Sequence, residues 1–382
     1  MESTERPLRI GLVSGPMVAI PPTGYAGTER IVAVMLDELV RRGHDVTLIA
    51  PGDSHAPGRL VPTVDRALWS SGMRGDATAY IQLTIERAWS VAHEFDVIHS
   101  HLDTLCFGFA RRSPTPVVHT LHGRLDKPGV PELLDEFREI PLVAISASQR
   151  RWRPQNNWVA TVHHGLPLAA ASEGAGGGGY LAFVGRITPE KGIAEAIELA
   201  RSTGLVLRMA AKVHEVEEQH LFDEVVAPAI AEGVVAFEGE LAAEPRDRLM
   251  GGAVATVMLG AWPEPFGLVA IESMATGTPV IARRAGALPE IVRHGENGFL
   301  IDDLDEAALA VREVPKLDRQ AIRASTIERF SVERMVDEYE AVYRRLANRE
   351  VTTRIHPRGT RDRAVRTGTG ATEPVALTVA SG

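Results

Sequence analysis

Cysteine is almost missing from this chain of 382 residues, with Cys106 standing alone. One thiol closes no internal disulfide and builds no cysteine-based zinc site, so a reducing, cytoplasmic setting is expected. Lysine is scarce as well: the 41 basic residues are almost all arginine, with lysine only at 127, 191, 212 and 316. No apolar run approaches the ~18 residues that would span a bilayer. Met1–Arg9 is polar and charged, with no signal-peptide core. Basic charge does not dominate either. Against 41 Lys and Arg stand 50 Asp and Glu, a net charge of −9, which argues against a general nucleic-acid binder. A local basic site for a small anion is still compatible with that balance.

What is present is an ordinary globular mixture. With 45% apolar and 24% charged residues, wholesale disorder, collagen-like repeats and a coiled coil are excluded. The length suggests two to three domains at about 150 residues each. Leu8–Ser14 reads as a buried strand ending at Gly and Pro. Thr28–Arg42 reads as a helix with stripes Ile31, Met35, Leu39 and Val32, Leu36, Val40, stopped by Gly43. Asp45–Ala50 is a second buried strand. Strand, helix, strand within ~45 residues is a right-handed βαβ unit on a parallel sheet. The pattern continues through Asp96–His99, Pro116–Leu121, Leu142–Ile145 and Val159–His163, giving a first α/β domain over 1–168.

Ala169–Gly179 (AAASEGAGGGG) packs no core and reads as a flexible linker or loop. A second α/β domain is expected over 180–330, with strands at Tyr180–Gly185, Leu205–Ala210, Val234–Glu238, Ala255–Leu259 and Pro279–Ala282. Residues 331–348 form a helix capped by Ser331, with the apolar face Val332, Met335, Val336, Tyr339, Val342, Tyr343 and Leu346, able to pack back on the first domain. Residues 349–382, rich in Thr, Gly and Arg without period, are expected to be disordered. The fold class is therefore α/β, with two doubly wound Rossmann-like domains facing each other across a cleft. Ligands in such sheets bind outside the carboxyl ends of the strands and in interdomain clefts. A nicotinamide oxidoreductase is improbable, because no Gly-x-Gly-x-x-Gly follows the first strand.

Two loops carry chemistry. In Gly185-Arg186-Ile187-Thr188-Pro189-Glu190-Lys191-Gly192, a strand ends and a helix begins. Two cations there oppose the helix dipole unless an anion completes the site, and backbone N–H groups, Arg186 and Lys191 converge as a diphosphate site requires. The bland reading sends both side chains to solvent with Glu190 as partner. In Glu264-Pro265-Phe266-Gly267-Leu268-Val269-Ala270-Ile271-Glu272, a helix starts near Phe266, and Gly267 leaves its N–H groups open. Eight residues of helix span about 12 Å, too far for Glu264 and Glu272 to act on one bond. They read as two anchors along an extended ligand, each able to accept from sugar hydroxyls. The bland reading is a capping and a solvated glutamate. In Gln149–Pro154 (QRRWRP), a solvated turn is the reading, with peripheral membrane or anionic-acceptor contact as its rival.

On these motifs the chain up to Asn348 resembles the family-4 retaining glycosyltransferases of GT-B fold. FVGRITPEKG resembles their phosphate loop, Glu264 and Glu272 match their E-x7-E motif, and ESMATGTPVIARRAGALPEIVRHGENGFLI is similar to their C-terminal block. GYAGTER, TLHG and ISASQR resemble first-domain loops. The resemblance implies that Arg186 and Lys191 hold the donor diphosphate and stabilise the leaving group. It implies that Glu264 binds the donor hexose and Glu272 the ribose. Backbone N–H groups of Phe266, Gly267, Leu268 and Val269 would meet sugar or phosphate oxygens. His122 would lie beside the reacting carbon, with His119 a strand residue. Gly27 would bring its backbone near the phosphates, although Ala26 stands where the family often has a first glycine. Glu290 would support the base or the sugar loop, while His163 and His164 read as hinge packing. No cofactor or metal is expected: the family is generally metal-independent, and the binding loops carry no acidic Asp-x-Asp motif. The co-substrate would be a nucleotide-diphosphate sugar, UDP-glucose or GDP-mannose, and the acceptor a small molecule, glycan or lipid hydroxyl. The alternative is a non-catalytic nucleotide-sugar-binding or interaction protein on the same fold.

Overall fold

The computed structural model describes residues 6–24, 26–73 and 75–348. The expected disorder of 349–382 lies outside the described residues.

Two parallel sheets are built in the same order. The first runs through β1 (Arg9–Val13), β2 (Asp45–Ala50), β3 (Arg59–Pro62), β4 (Val97–Ser100), β5 (Val117–Leu121), β6 (Leu142–Ala144) and β7 (Trp158–Thr161), arranged β3-β2-β1-β4-β5-β6-β7. The second runs through β8 (Tyr180–Arg186), β9 (Val206–Lys212), β10 (Val235–Gly239), β11 (Ala255–Met258), β12 (Val280–Arg283) and β13 (Gly298–Ile301), arranged β10-β9-β8-β11-β12-β13. Each order turns back at its first strand, between β1 and β4 and between β8 and β11. Such switch points open crevices at the strand ends, and the loops with candidate chemistry leave β8 and β11 there. The strands with no expectation from sequence, β3 and β13, are four-residue edge strands. A half-exposed RLVP and a short GFLI carry too little pattern to stand out.

The first helix, Gly27–Arg41, buries Ile31, Val32, Met35, Leu36 and Leu39 of the expected stripes, with Val40 half-buried at its end. Helix Val332–Ala347 is capped by the Ser331 hydroxyl, which accepts from the Arg334 N–H at 3.2 Å, and buries all seven residues of its expected face. It returns to the first half: Arg42 at the end of the first helix donates to Asp337 and Glu340. Leu166 donates its N–H to the Phe330 carbonyl at 3.0 Å. One apolar cluster runs from Ile10 and Leu36 through Met335 and Tyr339 to Phe266 and Ile271, so the two halves share a core.

The Gly-rich segment differs from its expectation as a flexible linker. It is a strap laid against the second half, where Gly174, Gly176 and Gly178 donate N–H bonds to the carbonyls of Thr276, Gly251 and Gly252 at 2.9–3.0 Å. The approach is close because side chains are missing: a Cβ on Gly174 would fall 2.1 Å from the Gly251 oxygen. Composition alone marks such a run as unable to form a core. It does not show that the backbone finds partners. Among the described residues, no helix is long and apolar enough to cross a membrane.

Candidate active site in the interdomain cleft

Loops from both sheets line one cavity of about 260 Å³. The first half supplies Gly27, Thr28, Arg30, His122, Gly123, Arg124, Lys127, Ile145 and His164. The second supplies Gly185, Glu190, Lys191, Trp262 and the whole run Glu264–Val269 together with Glu272.

The phosphate-loop candidate is tighter than expected. β8 continues to Arg186, a 3₁₀ turn covers Pro189–Lys191, and Gly192 starts helix Ile193–Thr203. Lys191 therefore leaves the end of the turn and points into the cavity, where its Nζ lies 2.7 Å from Glu264 Oε2. The Trp262 indole N–H donates to the same oxygen at 3.2 Å. Arg186 is drawn aside: its guanidinium, 43% exposed, lies 3.6 Å from Glu190 and 3.7 Å from Glu218, and it is not among the cavity-lining residues. The structure thus separates a pair that the sequence placed together.

The second loop turns on Gly267. Its φ of +109° lies in the left-handed region that favours glycine, and it precedes helix Leu268–Ala275. Among the described residues no side chain caps that helix start, and Gly267, Leu268 and Val269 line the cavity, a favourable setting for an oxygen anion. Gly27 sits opposite, where an added Cβ would lie 3.4 Å from the Leu268 side chain. Glu272, inside the helix and 6% exposed, has both cationic partners on one oxygen. Arg30 of the first helix and Arg246 of helix Ala243–Gly252 reach Oε1 at 2.6 and 2.7 Å. Oε2 has no partner among the described residues.

His122 follows β5. Its backbone N–H donates to Asp103 Oδ1 at 2.8 Å, which fixes the turn. Its ring stacks on His164, with centroids 5.3 Å apart and planes 17° from parallel. Its Nε2 lies 2.9 Å from His101 Nδ1. Desolvation pushes the His122 ring down to about 3, so it is neutral near pH 7. His119 is buried within β5, as expected. Glu290 lies apart from the cavity lining. Its carboxylate accepts the N–H groups of Ala147 and Ser148 at 2.8 and 2.7 Å and bonds His163 Nε2 at 3.0 Å. These bonds hold its carboxyl below the usual range and clamp one half to the other. His163 belongs to this clamp, whereas His164 faces the cavity.

Sequence reasoning missed Arg30, Arg124, Trp262, Arg246 and His101. Arg30 closes the GYAGTER motif, and Arg124 follows TLHG by one residue. Arg124 stacks 4.6 Å over the Trp262 ring and pairs with Asp126. Nothing local in the sequence around Arg246 marks it.

Two facing Rossmann-like sheets with this cleft define the GT-B architecture of glycosyltransferases. Residues 25–171 match the family model Glycosyltransferase Family 4, and residues 170–325 match Glycosyl transferases group 1. The two matches meet at the strap, and the chain is a glycosyltransferase of the family-4 type. It is 28% identical to the D-inositol 3-phosphate glycosyltransferase of Mycolicibacterium smegmatis, over 89% of this chain and 92% of that one. Its fold is similar to that of AviGT4, a glycosyltransferase of avilamycin A biosynthesis, with a TM-score of 0.67 and 24% identity over 89% of this chain and 98% of that one. It is also similar to that of Anabaena HepE solved with UDP-glucose, with a TM-score of 0.66 and 18% identity over 89% and 100%.

Proposed function

We propose that the chain transfers a hexose, with retention of configuration and without a metal, from a nucleotide-diphosphate sugar to a hydroxyl acceptor in the cytoplasm. The observation that carries this reading is the convergence of Lys191 and the uncapped start of helix 268–275 on one cavity, with Glu272 set one helix turn further in. A diphosphate takes the lysine and the N–H groups. Glu272 Oε2 then meets the ribose hydroxyls while Oε1 stays with its arginines. Glu264 accepts from hexose hydroxyls once the diphosphate draws Lys191 away. Charge developing on the leaving diphosphate is met by groups already in place. Arg186 joins them by swinging from Glu190 and Glu218, a movement its exposure permits.

HepE was solved with UDP-glucose, which supports UDP-glucose as the first donor to test, with GDP-mannose second. A panel of UDP, GDP, ADP and dTDP sugars in thermal shift and calorimetry, with and without chelator, tests the reading. A ligand at 100 times its Kd stabilises by about 2.7 kcal/mol. Chelator-resistant stabilisation by one base, and a product linkage of the donor's anomeric configuration, are expected. No stabilisation by any of them would overturn the assignment in favour of a protein that has lost its donor site.

A further inference from the structure

Behind His122 lies a second histidine that no step above uses. His101 leaves the end of β4 in the run His99-Ser100-His101 and is 5% exposed, and its side chain makes one hydrogen bond among the described residues, between Nδ1 and His122 Nε2 at 2.9 Å. Its own Nε2 is buried with no partner among the described residues. Its ring is packed 4.1 Å from that of His99, which is itself held at both nitrogens, by the Tyr343 hydroxyl and by the Thr120 hydroxyl, each at 2.7 Å. His101 is therefore backed by a filled, fixed layer and cannot turn to find another partner.

Two neutral imidazoles sharing one hydrogen bond have two arrangements. If His122 donates from Nε2, the proton of His101 sits on its other nitrogen, as an N–H buried without an acceptor. If His101 donates from Nδ1, the buried atom left over is a bare lone pair. An orphaned buried N–H is the rarer and costlier of the two. The second arrangement also decides His122: with Nε2 accepting, its proton must reside on Nδ1, the ring nitrogen with no partner among the described residues. The hydrogen bond at one nitrogen sets the tautomer at the other.

We infer that His101 is a positioning residue that locks His122 as its Nδ1–H tautomer, so that His122 presents a hydrogen-bond donor to the cavity. The lone pair a general base would need is already occupied by His101. On the proposed function, on which this consequence rests, His122 donates to an oxygen of the donor sugar and takes no proton from the acceptor.

The test uses the full chain labelled with 15N-histidine and free of ligand, with His122 assigned by loss of its signals in His122→Asn. Long-range proton–nitrogen spectra are expected to show the proton of His122 on Nδ1. In His101→Ala the lock is gone, and the signal should move to Nε2–H or to a mixture. In His101→Asn, whose amide sits where Nδ1 was, the Nδ1–H form should persist. Transfer assays should follow the same order: kcat falls about ten-fold in His101→Ala, recovers in His101→Asn, and donor KM changes less than two-fold, since a misplaced group can cost up to about 100-fold. His122 carrying its proton on Nε2 in the unaltered chain, or keeping Nδ1–H in a folded His101→Ala, would overturn the inference. Absence of sugar transfer by the unaltered chain, with the tautomer as stated, would strike the function and leave the lock standing.

Discussion

Glu272 and Arg30 meet across the cleft at 2.6 Å, one from each half of the chain, on the same carboxylate oxygen that Arg246 reaches from the other side. The contact joins the first helix directly to the helix whose start lines the cavity. Replacing Arg30 by Ala leaves Glu272 with Arg246, so no charge is stranded, and the loss is expected to be about 1 kcal/mol. In a chain of this length that is a fall of about 1–3 °C in Tm. The donor KM should rise several-fold, because the carboxylate is no longer held from both sides. Thermal denaturation and donor titration check both, and an unchanged Tm and KM would reduce the pair to a surface contact.

Lys191 is paired with Glu264 at 2.7 Å before any ligand arrives. Lys191→Ala should lower kcat/KM by about 100-fold or more, the scale for removing one preorganised donor from developing charge. Lys191→Arg should recover little, since a planar guanidinium does not fit the space of a compact ammonium between Glu264 and Trp262. Steady-state kinetics on both variants decides this. Equal activity of the Ala variant would mean that another cation, Arg186 foremost, carries the phosphate.

The fold was legible because its strands are apolar runs at even spacing and its helices carry clear stripes. All seven buried residues of helix 332–347 follow from spacing alone. Lys191, Glu264 and Glu272, which line one cavity, were legible as candidates because each lies in or just after a loop that follows a strand and opens a helix. Arg30 and Arg246 were not, since each becomes a site residue only through a carboxylate on another element, 242 and 26 residues away. Arg186 and Lys191 are five apart in sequence, yet an α-helix was expected where a 3₁₀ turn and Gly192 intervene, and the two diverge. Glu290 looks like a loop carboxylate in sequence. Only the fold brings Ala147 and Ser148 to it, 143 and 142 residues away.

The last helix is tied to the histidine layer by hydroxyls. Tyr343 bonds His99 at 2.7 Å, and Tyr339 bonds Thr120 at 2.9 Å, both in the fully buried core. Tyr343→Phe keeps the ring and removes two bonds, the one to His99 and the one the hydroxyl donates to Met35 Sδ at 3.3 Å, leaving a histidine nitrogen unpaired, so a loss of about 1–3 kcal/mol is expected. The variant should unfold at lower denaturant with the same slope against denaturant. A change below about 0.3 kcal/mol would show that the hydroxyl is not needed to hold the helix. Because His99 backs His101, the same variant should lower kcat more than donor affinity.

Acid should unfold this protein early, and the histidines say why. Desolvation holds His122 and His119 down at about 3, and His99, His101 and His164 well below their ordinary value. An unfolded histidine titrates near 6.5. Above that pH neither state binds the proton, and stability is at its full value. As pH falls below it, the unfolded chain takes up protons that the folded chain refuses, and each such histidine costs about 1.4 kcal/mol per pH unit. His122 and His119 alone would cost about 6 kcal/mol over two units, and His99, His101 and His164 add to that in the same direction, a large part of the whole stability of an ordinary domain. Carboxylates held low by their partners, Glu38 and Glu290 among them, are still charged over most of this window and add their loss only further down. Tm measured from pH 7.5 to 4.5 should therefore be level down to about 6.5 and then drop steeply. His164→Asn, which removes one titrating ring from the cavity wall, should make the drop shallower by one histidine's share. A Tm that stays level to pH 5 would mean that the layer accepts protons while folded, and that its rings are not neutral.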